Sequence, residues 1–568
     1  MALDEQLKID GNLIPDRSAG DEPRVTRERV FRWWDYLIYA PLMAVNIGVI
    51  AWFLLSWFRL ADTGAAAAPF WIITFLLSYN FAIVLFRWLI LPLMSRPRRL
   101  RTSRQWKVAV ATTFVPGLES FEMLEKTIEA LVRMDFPHET WVLDEGDDEK
   151  VKDMCSRLGA SHFSRKGKPQ YLTDGGAFEN KTKHGNYNAW LDAVGFARYD
   201  VIVSFDPDHV PDRDFLDASL GYLDDPSIGY VQFPQVYYNQ SAGFVARGAA
   251  EETYAYYSVI QMSSYSFGFP IVTGCHNIHR TEALKEVGGF PAHDADDLLI
   301  TLLYRSKGWQ GVYVPEIRAK GLTPTDWPGY LTQQWRWARS VLDVKLRVFP
   351  RLAGRLPLGT RLMGFLHGLY YVQEGLIGLA SVLFLVLMFA TGVTPKFLTP
   401  EVVLSYLIVG IVLTFSDMYR QRFFLNPRNE WGFHIRAAFL RFVKWPYIFF
   451  GLIDAISGGK RPYSLTAKVK TAKPTLMTWP HLVVFGVVAL AWVIGLALGH
   501  EVHPLLAVAG GIALVSALLA VWTEMWESPE PFDIRIWSAE FDQGRWSSTL
   551  SARRKKRATT SALGVSQR

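Results

Sequence analysis

The sequence predicts an α/β domain inserted into an α-helical polytopic membrane domain. Half of the 568 residues are hydrophobic, and 21 Trp and 36 Phe make the chain rich in large apolar side chains. Apolar runs long enough to cross about 30 Å of hydrocarbon occur on both sides of a central region. That region of about 270 residues alternates between strand-like and helix-like patterns, which is enough chain for one sizeable domain.

The apolar runs set the predicted organisation of the chain. Candidate spans lie near residues 36–58, 70–92, 362–392, 402–419, 480–499 and 504–526. The predicted order is a cytoplasmic N-terminal segment, two spans, the α/β domain, four spans with interfacial helices and a loop at 460–470, and a basic cytoplasmic tail. The bounds of these five parts are 1–35, 36–92, 105–345, 346–526 and 527–568.

Basic residues at the span ends predict the orientation. The first span is preceded by four arginines, Arg24, Arg27, Arg29 and Arg32. The stretch RPRRLRTSRQWK at 96–107 follows the second span, whereas the loop between the two spans carries only Arg59. Because Lys and Arg concentrate on the cytoplasmic side, the N-terminus and the α/β domain are predicted to be cytoplasmic. The first 35 residues carry no pattern of a cleaved signal peptide.

A further apolar segment, AAFLRFVKWPYIFFGLIDAI at 437–456, is long enough for a seventh span. Counting it as one would export the basic run RRKKR at 553–557, against the positive-inside rule. Arg436, Arg441 and Lys444 among its aromatic residues favour a helix that lies in the membrane interface.

Charge and cysteine usage exclude two classes of function. The net charge of +6 is concentrated at span ends and in the tail, which indicates contact with anionic lipid and not with nucleic acid. The two cysteines, Cys155 and Cys275, predict neither a disulfide framework nor a zinc site.

Strand-like segments recur through the central region, at 107–115, 139–145, 200–208, 228–234 and 311–316. Helical patterns separate them, so the rhythm predicts a largely parallel sheet flanked by helices. Ligands of such sheets bind beyond the carboxyl ends of the strands. Acidic residues at those ends are therefore the first candidates for a site.

Three sets of carboxylates stand at those ends: Asp144 with Glu145, Asp206 with Asp208, and Asp294, Asp296 and Asp297 at the start of a helical pattern. Any one set is as readily a turn or a helix cap. Three sets at one edge favour a site for Mg²⁺ or Mn²⁺ and a phosphate-bearing donor. The cation would neutralise a departing diphosphate, and a carboxylate at the helix start would take the proton of an attacking hydroxyl.

The ordered set Asp144, Asp206-x-Asp208, Asp297 and Gln333-x-x-Arg336-Trp337 resembles the D, DxD, D, QxxRW pattern of processive family 2 glycosyltransferases, the cellulose and hyaluronan synthases. The resemblance implies a GT-A-type, Rossmann-like fold. It also implies that Asp144 contacts the nucleotide, that Asp206 and Asp208 hold the sugar diphosphate and metal, and that Asp297 is the general base.

Two neighbouring motifs bear on these assignments. The TED motif of the family reads Ala295-Asp296-Asp297 here, so Asp296 is an alternative base. The stretch KHGNYN at 183–188 is similar to the family's KAGNLN and makes Lys183 a candidate phosphate or nucleotide contact.

The QxxRW residues fall at i, i+3 and i+4 and share one face of a helix. Arg336 offers a bidentate fork to a diphosphate, and Trp337 offers an apolar face on which a pyranose can stack. Gln333 can hydrogen-bond sugar hydroxyls. Trp335 points away from this face and is expected to anchor the helix at the membrane surface.

The segment PYSLTAK at 462–468 resembles the FxVTxK gating loop of cellulose synthases, with Thr466 and Lys468 identical. By that resemblance, both residues close over the diphosphate of the donor. Hyaluronan synthases lack this loop, so the donor is predicted to be UDP-glucose and the product a β-glucan. Charged or polar residues within apolar segments, Glu374, His367 and Asp454, are expected to face a polar conduit.

The sequence thus predicts an inverting, processive hexosyltransferase in the bacterial inner membrane. Its partners would be a UDP-sugar donor, the growing polysaccharide, membrane lipid and accessory export subunits, with no nucleic acid. Two alternatives stay open: a hyaluronan- or chitin-type synthase that uses UDP-N-acetylglucosamine, and a non-catalytic nucleotide-binding transporter or scaffold.

Overall fold

The computed structural model describes residues 25–60, 67–395, 399–458 and 476–526. The predicted gating loop, with Thr466 and Lys468, lies outside these residues, as does the basic tail. Within the described ranges, the chain forms twelve strands and eighteen α-helices. The five-part division into domains stays a prediction.

The strands are β1 (Arg27–Arg29), β2 (Ser95–Pro97), β3 (Val108–Phe114), β4 (Glu139–Asp144), β5 (Ser161–Phe163), β6 (Val201–Phe205), β7 (Val210–Pro211), β8 (Ile228–Gln232), β9 (Val236–Tyr237), β10 (Asn277–Arg280), β11 (Gln310–Tyr313) and β12 (Ala319–Gly321). Seven of them form one sheet in the order β11-β8-β10-β6-β3-β4-β5. Strand β3 pairs in parallel with β4 and β6, and β10 pairs antiparallel with β6 and β8. The predicted α/β class is therefore confirmed, with one strand reversed.

The helices are α1 (Tyr36–Leu60), α2 (Ala67–Leu89), α3 (Phe121–Val132), α4 (Glu149–Leu158), α5 (Lys183–Trp190), α6 (Phe196–Arg198), α7 (Phe244–Ala255), α8 (Gln261–Ser266), α9 (Thr281–Glu286), α10 (Asp296–Ser306), α11 (Trp327–Asp343), α12 (Phe349–Leu352), α13 (Leu358–Leu366), α14 (Leu369–Thr391), α15 (Pro400–Arg420), α16 (Ile435–Ser457), α17 (Trp479–Ala497) and α18 (Pro504–Trp526).

The central strands are apolar on both faces, because helices cover the sheet on both sides. On β3, Val108 and Val110 join one buried cluster, whereas Ala109 and Ala111 join the other. A strand buried on both faces reads in sequence as a continuous apolar run. This is why the central strands could be located from the sequence.

The sheet brings three chain segments to one edge. Strands β4 and β6 flank β3 in parallel, so Asp144 at the end of β4 and Asp206 just after β6 lie at the same edge. The reversed β10 begins at that edge, and the amide of His276, directly before it, donates to the carbonyl of Ser204 at 3.1 Å. The edge therefore receives residues from strand ends and from one strand start.

Among the described residues, six helical stretches are long and apolar enough to cross a membrane: Trp33–Arg59, Pro69–Leu93, Leu358–Thr391, Pro400–Phe423, Trp479–Ala497 and Pro504–Trp526. Helix α16 is not among them. It packs instead against α7, α11 and α14. Its predicted position in the membrane interface stays a prediction.

One apolar cluster joins the α/β domain to the long helices. We call it the shared apolar cluster; its buried members are Val245, Ala249, Trp327, Tyr330, Leu331, Leu440, Val443, Tyr447 and Ala520. These side chains come from α7, α11, α16 and α18. The packing is close, since a Cβ on Gly248 of α7 would lie 2.9 Å from the side chain of Leu440 on α16.

Candidate active site

A cavity of about 1310 Å³ lies between the carboxyl edge of the sheet and the long helices. Apart from Asp144, every described residue that the sequence nominated for the site lines it: Lys183, Asp206, Asp208, Asp296, Asp297, Gln333, Arg336 and Trp337. Side chains of α2, α14, α15 and α16 line the same cavity. The fold therefore gathers the nominated residues in one chamber that the membrane helices also border.

The Asp-x-Asp pair lies in the turn that follows β6. The carbonyl of Pro207 accepts a hydrogen bond from the hydroxyl of Thr127 at 2.6 Å, which fixes the turn against α3. Asp208 is fully buried, and its Oδ2 accepts the amide of Leu322 at 3.3 Å. The carboxylates of Asp206 and Asp208 and the imidazole of His209 each offer a ligand atom, and these atoms lie within 4.8 Å of one another. This oxygen-rich set fits a hard divalent cation.

Lys183 brings positive charge to this pair. It begins α5, whose N-cap Thr182 accepts the amide of Gly185 at 3.1 Å. The Nζ of Lys183 lies 2.6 Å from Oδ1 of Asp206 and 2.6 Å from the carbonyl of Gly274. Burial opposes its charge, but Asp206 and other neighbouring anions raise the pKa of Lys183 well above its usual value. The ammonium is therefore held charged beside the carboxylates.

Asp296 and Asp297 begin α10 at the cavity wall. The amide of Asp297 donates to Asp296 Oδ1 at 3.0 Å, and the amide of Leu298 donates to Asp297 Oδ1 at 2.7 Å. Burial raises the pKa of both carboxyls, and the charge of Asp297 adds to the increase for Asp296. A raised pKa makes a carboxylate a stronger base. Asp294, in contrast, is paired with Arg339.

Helix α11 presents the QxxRW residues to the cavity. Its N-cap Asp326 accepts the amide of Gly329 at 2.8 Å. Gln333, Arg336 and Trp337 line the cavity together, as the helical spacing predicts.

Trp335 lies outside the cavity lining and contacts another helix. Its indole N–H donates to Asp454 Oδ2 of α16 at 3.0 Å, and its ring packs edge to face on Tyr447 and Phe450. Trp335 is thus fixed to α16, and its expected position at the membrane surface stays a prediction. Asp454 holds this contact and does not line the cavity, whereas Glu374 and His367 do.

Asp144 is engaged in shaping the loop after β4. Its buried carboxylate accepts the amides of Gly146 at 2.8 Å and Asp148 at 2.5 Å, and lies 3.2 Å from Nε2 of His162. The neighbouring Glu145 pairs with Arg165 at 2.7 Å. Gly146 and Glu145 line the cavity in its place. The nucleotide contact assigned to Asp144 stays a prediction.

Sequence reasoning missed a charged network on the cavity wall. The ammonium of Lys444 on α16 lies 2.9 Å from Glu252 Oε1 on α7 and 3.8 Å from Glu374 Oε2 on α14. Tyr330 of α11 donates to Glu252 Oε2 at 2.6 Å. The sequence identified Glu374 because it is a charged residue within a mostly apolar segment. Glu252 lies in a helix of mixed polarity, where a charged residue does not stand out.

Two family descriptions match the chain: Glycosyl transferase family 2 over residues 113–288, and Glycosyl transferase family group 2 over residues 201–419. The UDP-forming cellulose synthase catalytic subunit of Pseudomonas fluorescens (strain SBW25) is 24% identical over 480 residues, which are 81% of this chain and 60% of that protein. The UDP-forming cellulose synthase 1 catalytic subunit of Komagataeibacter xylinus is 26% identical over 280 residues, 47% of this chain and 36% of that protein. The chain thus spans less than two thirds of the length of either relative.

Among solved structures, a mannosyltransferase from Pyrobaculum calidifontis in complex with GDP-Man and Mn²⁺ overlaps 75% of this chain and all of its own, with a TM-score of 0.45 and 16% identity.

Between them, the two family matches contain every described residue that the sequence nominated for the site. The chain therefore carries a glycosyltransferase family 2 domain and is a homologue of the bacterial cellulose synthase catalytic subunits.

Proposed function

We propose that this chain is a membrane-embedded, inverting hexosyltransferase that polymerises glucose from UDP-glucose into a β-glucan and passes the polymer across the membrane. The observation that carries the proposal is the single cavity that joins the Asp-x-Asp turn, the start of α10 and the QxxRW face to helices α2, α14 and α15. The bacterial inner membrane and a cytoplasmic α/β domain are part of the proposal. They rest on the basic residues at the span ends.

The carboxylate pair is the proposed site of a divalent cation. Asp206 and Asp208 supply hard oxygen donors, and the closeness of the three ligand atoms of the turn fits one ion. When bound, Mg²⁺ or Mn²⁺ neutralises the diphosphate and makes UDP a better leaving group. Lys183 beside Asp206 and Arg336 near Asp297 add positive charge to the same cavity, and we assign both to binding the diphosphate.

In the proposed transfer step, UDP leaves the anomeric carbon and Asp297 removes the proton of the attacking hydroxyl. The oxygen of the acceptor hydroxyl forms a bond to the anomeric carbon while the bond from that carbon to the phosphate oxygen breaks, and the electron pair leaves with UDP. Asp297 takes the hydroxyl proton, for which its raised pKa suits it. Attack from the face opposite UDP inverts an α-linked donor and gives a β-linkage.

Donor identity is tested by incubating membranes that contain the chain with radiolabelled UDP-sugars. We expect metal-dependent polymer from UDP-glucose, and its digestion by linkage-specific β-glucanases then gives the linkage. Polymer from UDP-N-acetylglucosamine alone would place the chain with the hyaluronan- and chitin-type synthases. Nucleotide binding with no product from any UDP-sugar would identify a non-catalytic transporter or scaffold.

The raised pKa of Asp297 predicts how activity depends on pH. The base acts as the carboxylate, so kcat is expected to fall as the pH drops through that pKa. Because burial raises the pKa, this acid limb should lie above the ordinary carboxyl value of 3.8. The measurement is polymer formation against pH at saturating donor. A limb at the ordinary value would contradict the assignment of Asp297, whose pKa is raised, as the base.

Trp337→Ala tests the sugar-stacking role. Loss of the indole removes the apolar face on which the acceptor pyranose would rest, and stacking between aromatic rings contributes about 0.5–1.5 kcal/mol beyond the area that it buries. If stacking on the sugar is of the same size, we expect polymer yield at limiting acceptor to decrease by about 2- to 13-fold, since 1.36 kcal/mol corresponds to a factor of ten. Hydrolysis of the donor should persist, and Trp337→Phe should restore part of the yield. Full polymer yield from the Ala variant would contradict the stacking role.

A further inference from the structure

The loop before α10 is tied to α11 by one hydrogen bond and one ion pair. The imidazole Nε2 of His293 lies 3.0 Å from Asp343 Oδ2, and the carboxylate of Asp294 pairs with Arg339. The side chains of His293 and Arg339 are each 11% exposed, so water has little access to either contact. Arg339 and Asp343 follow Arg336 by three and seven residues in the helix, and therefore share its face of α11.

His293 uses both of its ring nitrogens. Its Nδ1 accepts the amide of Ala295 at 2.9 Å. Because a nitrogen that accepts this hydrogen bond carries no proton, the ring is neutral, and its proton lies on Nε2, which donates to Asp343. Ala295 is the N-cap residue of α10 and has no side-chain oxygen with which to cap the helix. The imidazole therefore holds the start of α10 from outside the helix.

Asp343 is itself fixed on its other side. Its Oδ1 accepts a hydrogen bond from Arg347, and Nη1 of Arg347 also donates to the carbonyl of Ala455 near the end of α16 at 2.6 Å. Burial raises the pKa of Asp343, but the hydrogen bond from His293 and the charge of Arg347 outweigh burial and lower the pKa below its usual value. The carboxylate is thus charged and well held as the acceptor for His293.

These contacts bear on Asp297, which follows Ala295 by two residues at the start of α10. The charge of Arg336 acts on the carboxyl of Asp297, and both side chains line the cavity. The start of α10 and the QxxRW face of α11 are therefore neighbours in the cavity wall. A shift of α10 relative to α11 would move the proposed base relative to the residues proposed to bind the donor.

From these contacts we propose that His293 is a positioning residue, which fixes the start of α10 and the carboxylate of Asp297 against the QxxRW face of α11. The inference rests on the proposed function, because Asp297 is its general base. The role is one of geometry, since misplacing a reacting group by about 1 Å can decrease turnover about 10²-fold. The two hydrogen bonds of the ring act together, and other side chains can replace them one at a time.

The test measures kcat for sugar transfer and the dissociation constant of UDP in full-length variants purified in detergent. His293→Ala removes both hydrogen bonds and is expected to decrease kcat about 10²-fold, with UDP affinity within a few-fold of the wild type. Asn places an oxygen near the position where Nδ1 accepts, and Gln places an amide nitrogen near the position where Nε2 donates. His293→Asn and His293→Gln should therefore each retain more of kcat than His293→Ala.

His138→Asn is the matched control and should leave kcat unchanged. His138 is half-buried and lies outside the cavity lining, and its ring nitrogens are 2.6 and 2.8 Å from the carbonyls of Phe136 and Leu131. Equal losses of kcat in the Ala, Asn and Gln variants of His293 would overturn the proposal, as would a kcat of His293→Ala equal to that of the wild type. A loss of UDP affinity as large as the loss of kcat would also overturn it, since His293 would then contact the donor.

The tautomer of His293 gives a second readout, which depends neither on turnover nor on how the Ala variant folds. In protein with isotope-labelled histidine, the nitrogen NMR signals that His293→Asn removes should be those of a neutral ring with its proton on Nε2. Signals of a charged ring, or of a ring with its proton on Nδ1, would overturn the proposal. Absence of product from the wild type would instead contradict the proposed function, so the two failures are distinguishable.

Discussion

Asp297→Asn is expected to abolish sugar transfer while UDP binding stays within a few-fold of the wild type. Asn keeps the shape of the side chain and one oxygen for the amide of Leu298, but it cannot take a proton. Loss of a positioned general base decreases turnover by about 10²–10⁴-fold. Because the base acts chiefly in the transition state, kcat should fall and the dissociation constant of UDP should change little. Single-turnover transfer and calorimetric UDP binding measure the two quantities.

Asp296→Asn is the matched control, since the two carboxylates are adjacent, half-buried and on the same helix start. If Asp297 is the base, the Asp296 variant retains transfer, with an altered acid limb because its neighbour's environment has changed. If Asp296→Asn abolishes transfer and Asp297→Asn retains it, the base is Asp296. The match of Ala295-Asp296-Asp297 to the family motif would then shift by one residue. A main effect of Asp297→Asn on UDP affinity would assign that carboxylate to donor binding.

Lys444→Met is expected to produce the largest loss of stability. The ammonium of Lys444 pairs with Glu252 at 2.9 Å and lies 3.2 Å from Gln334 Oε1, with side chains of Lys444 and Glu252 only 5% and 9% exposed. Removing one partner of a buried ion pair costs about 3–5 kcal/mol, because the other charge stays buried without compensation. Arg441, 3.5 Å from Glu252, offsets part of this loss. The measurement is the unfolding midpoint of the detergent-purified protein.

Two further variants distinguish the effect of losing the buried ion pair from the effect of losing any lysine charge. Lys152→Met removes an exposed ammonium that pairs with Glu149 at 2.9 Å, and it should leave the midpoint unchanged. The double variant Lys444→Met, Glu252→Gln should recover part of the lost stability, since Glu252 no longer keeps a buried charge without Lys444. Glu374, 3.8 Å from Lys444, and Arg441, 3.5 Å from Glu252, still lose a partner. Equal midpoints for Lys444→Met and Lys152→Met would show that the network contributes nothing to stability.

The parts of the fold that could be predicted are those that short stretches of sequence determine. Strand β3 is a run of apolar residues, and the helical spacing of Gln333, Arg336 and Trp337 already places them on one face. The carboxylates could be assigned to one edge because parallel strands end together. These inferences need only short stretches of chain.

The parts that could not be predicted depend on how distant segments pair. Strand β10 has only four residues, and nothing in NIHR shows that it runs antiparallel to its neighbours. Its direction decides that Cys275 and His276 lie beside the turn after β6, where the rings of His276 and His209 meet with their centroids 4.7 Å apart. The partner of Glu252 is 192 residues away, on α16, and local sequence does not identify such a pair.

The shared apolar cluster has a practical consequence for producing the α/β domain alone. A fragment that ended before α16 would leave Trp327, Tyr330 and Leu331 facing water where Leu440, Val443 and Tyr447 now cover them. A contiguous exposed apolar surface of this kind promotes aggregation. The α/β domain is thus expected to aggregate when it is produced without α16. A fragment for crystallisation should therefore retain this helix.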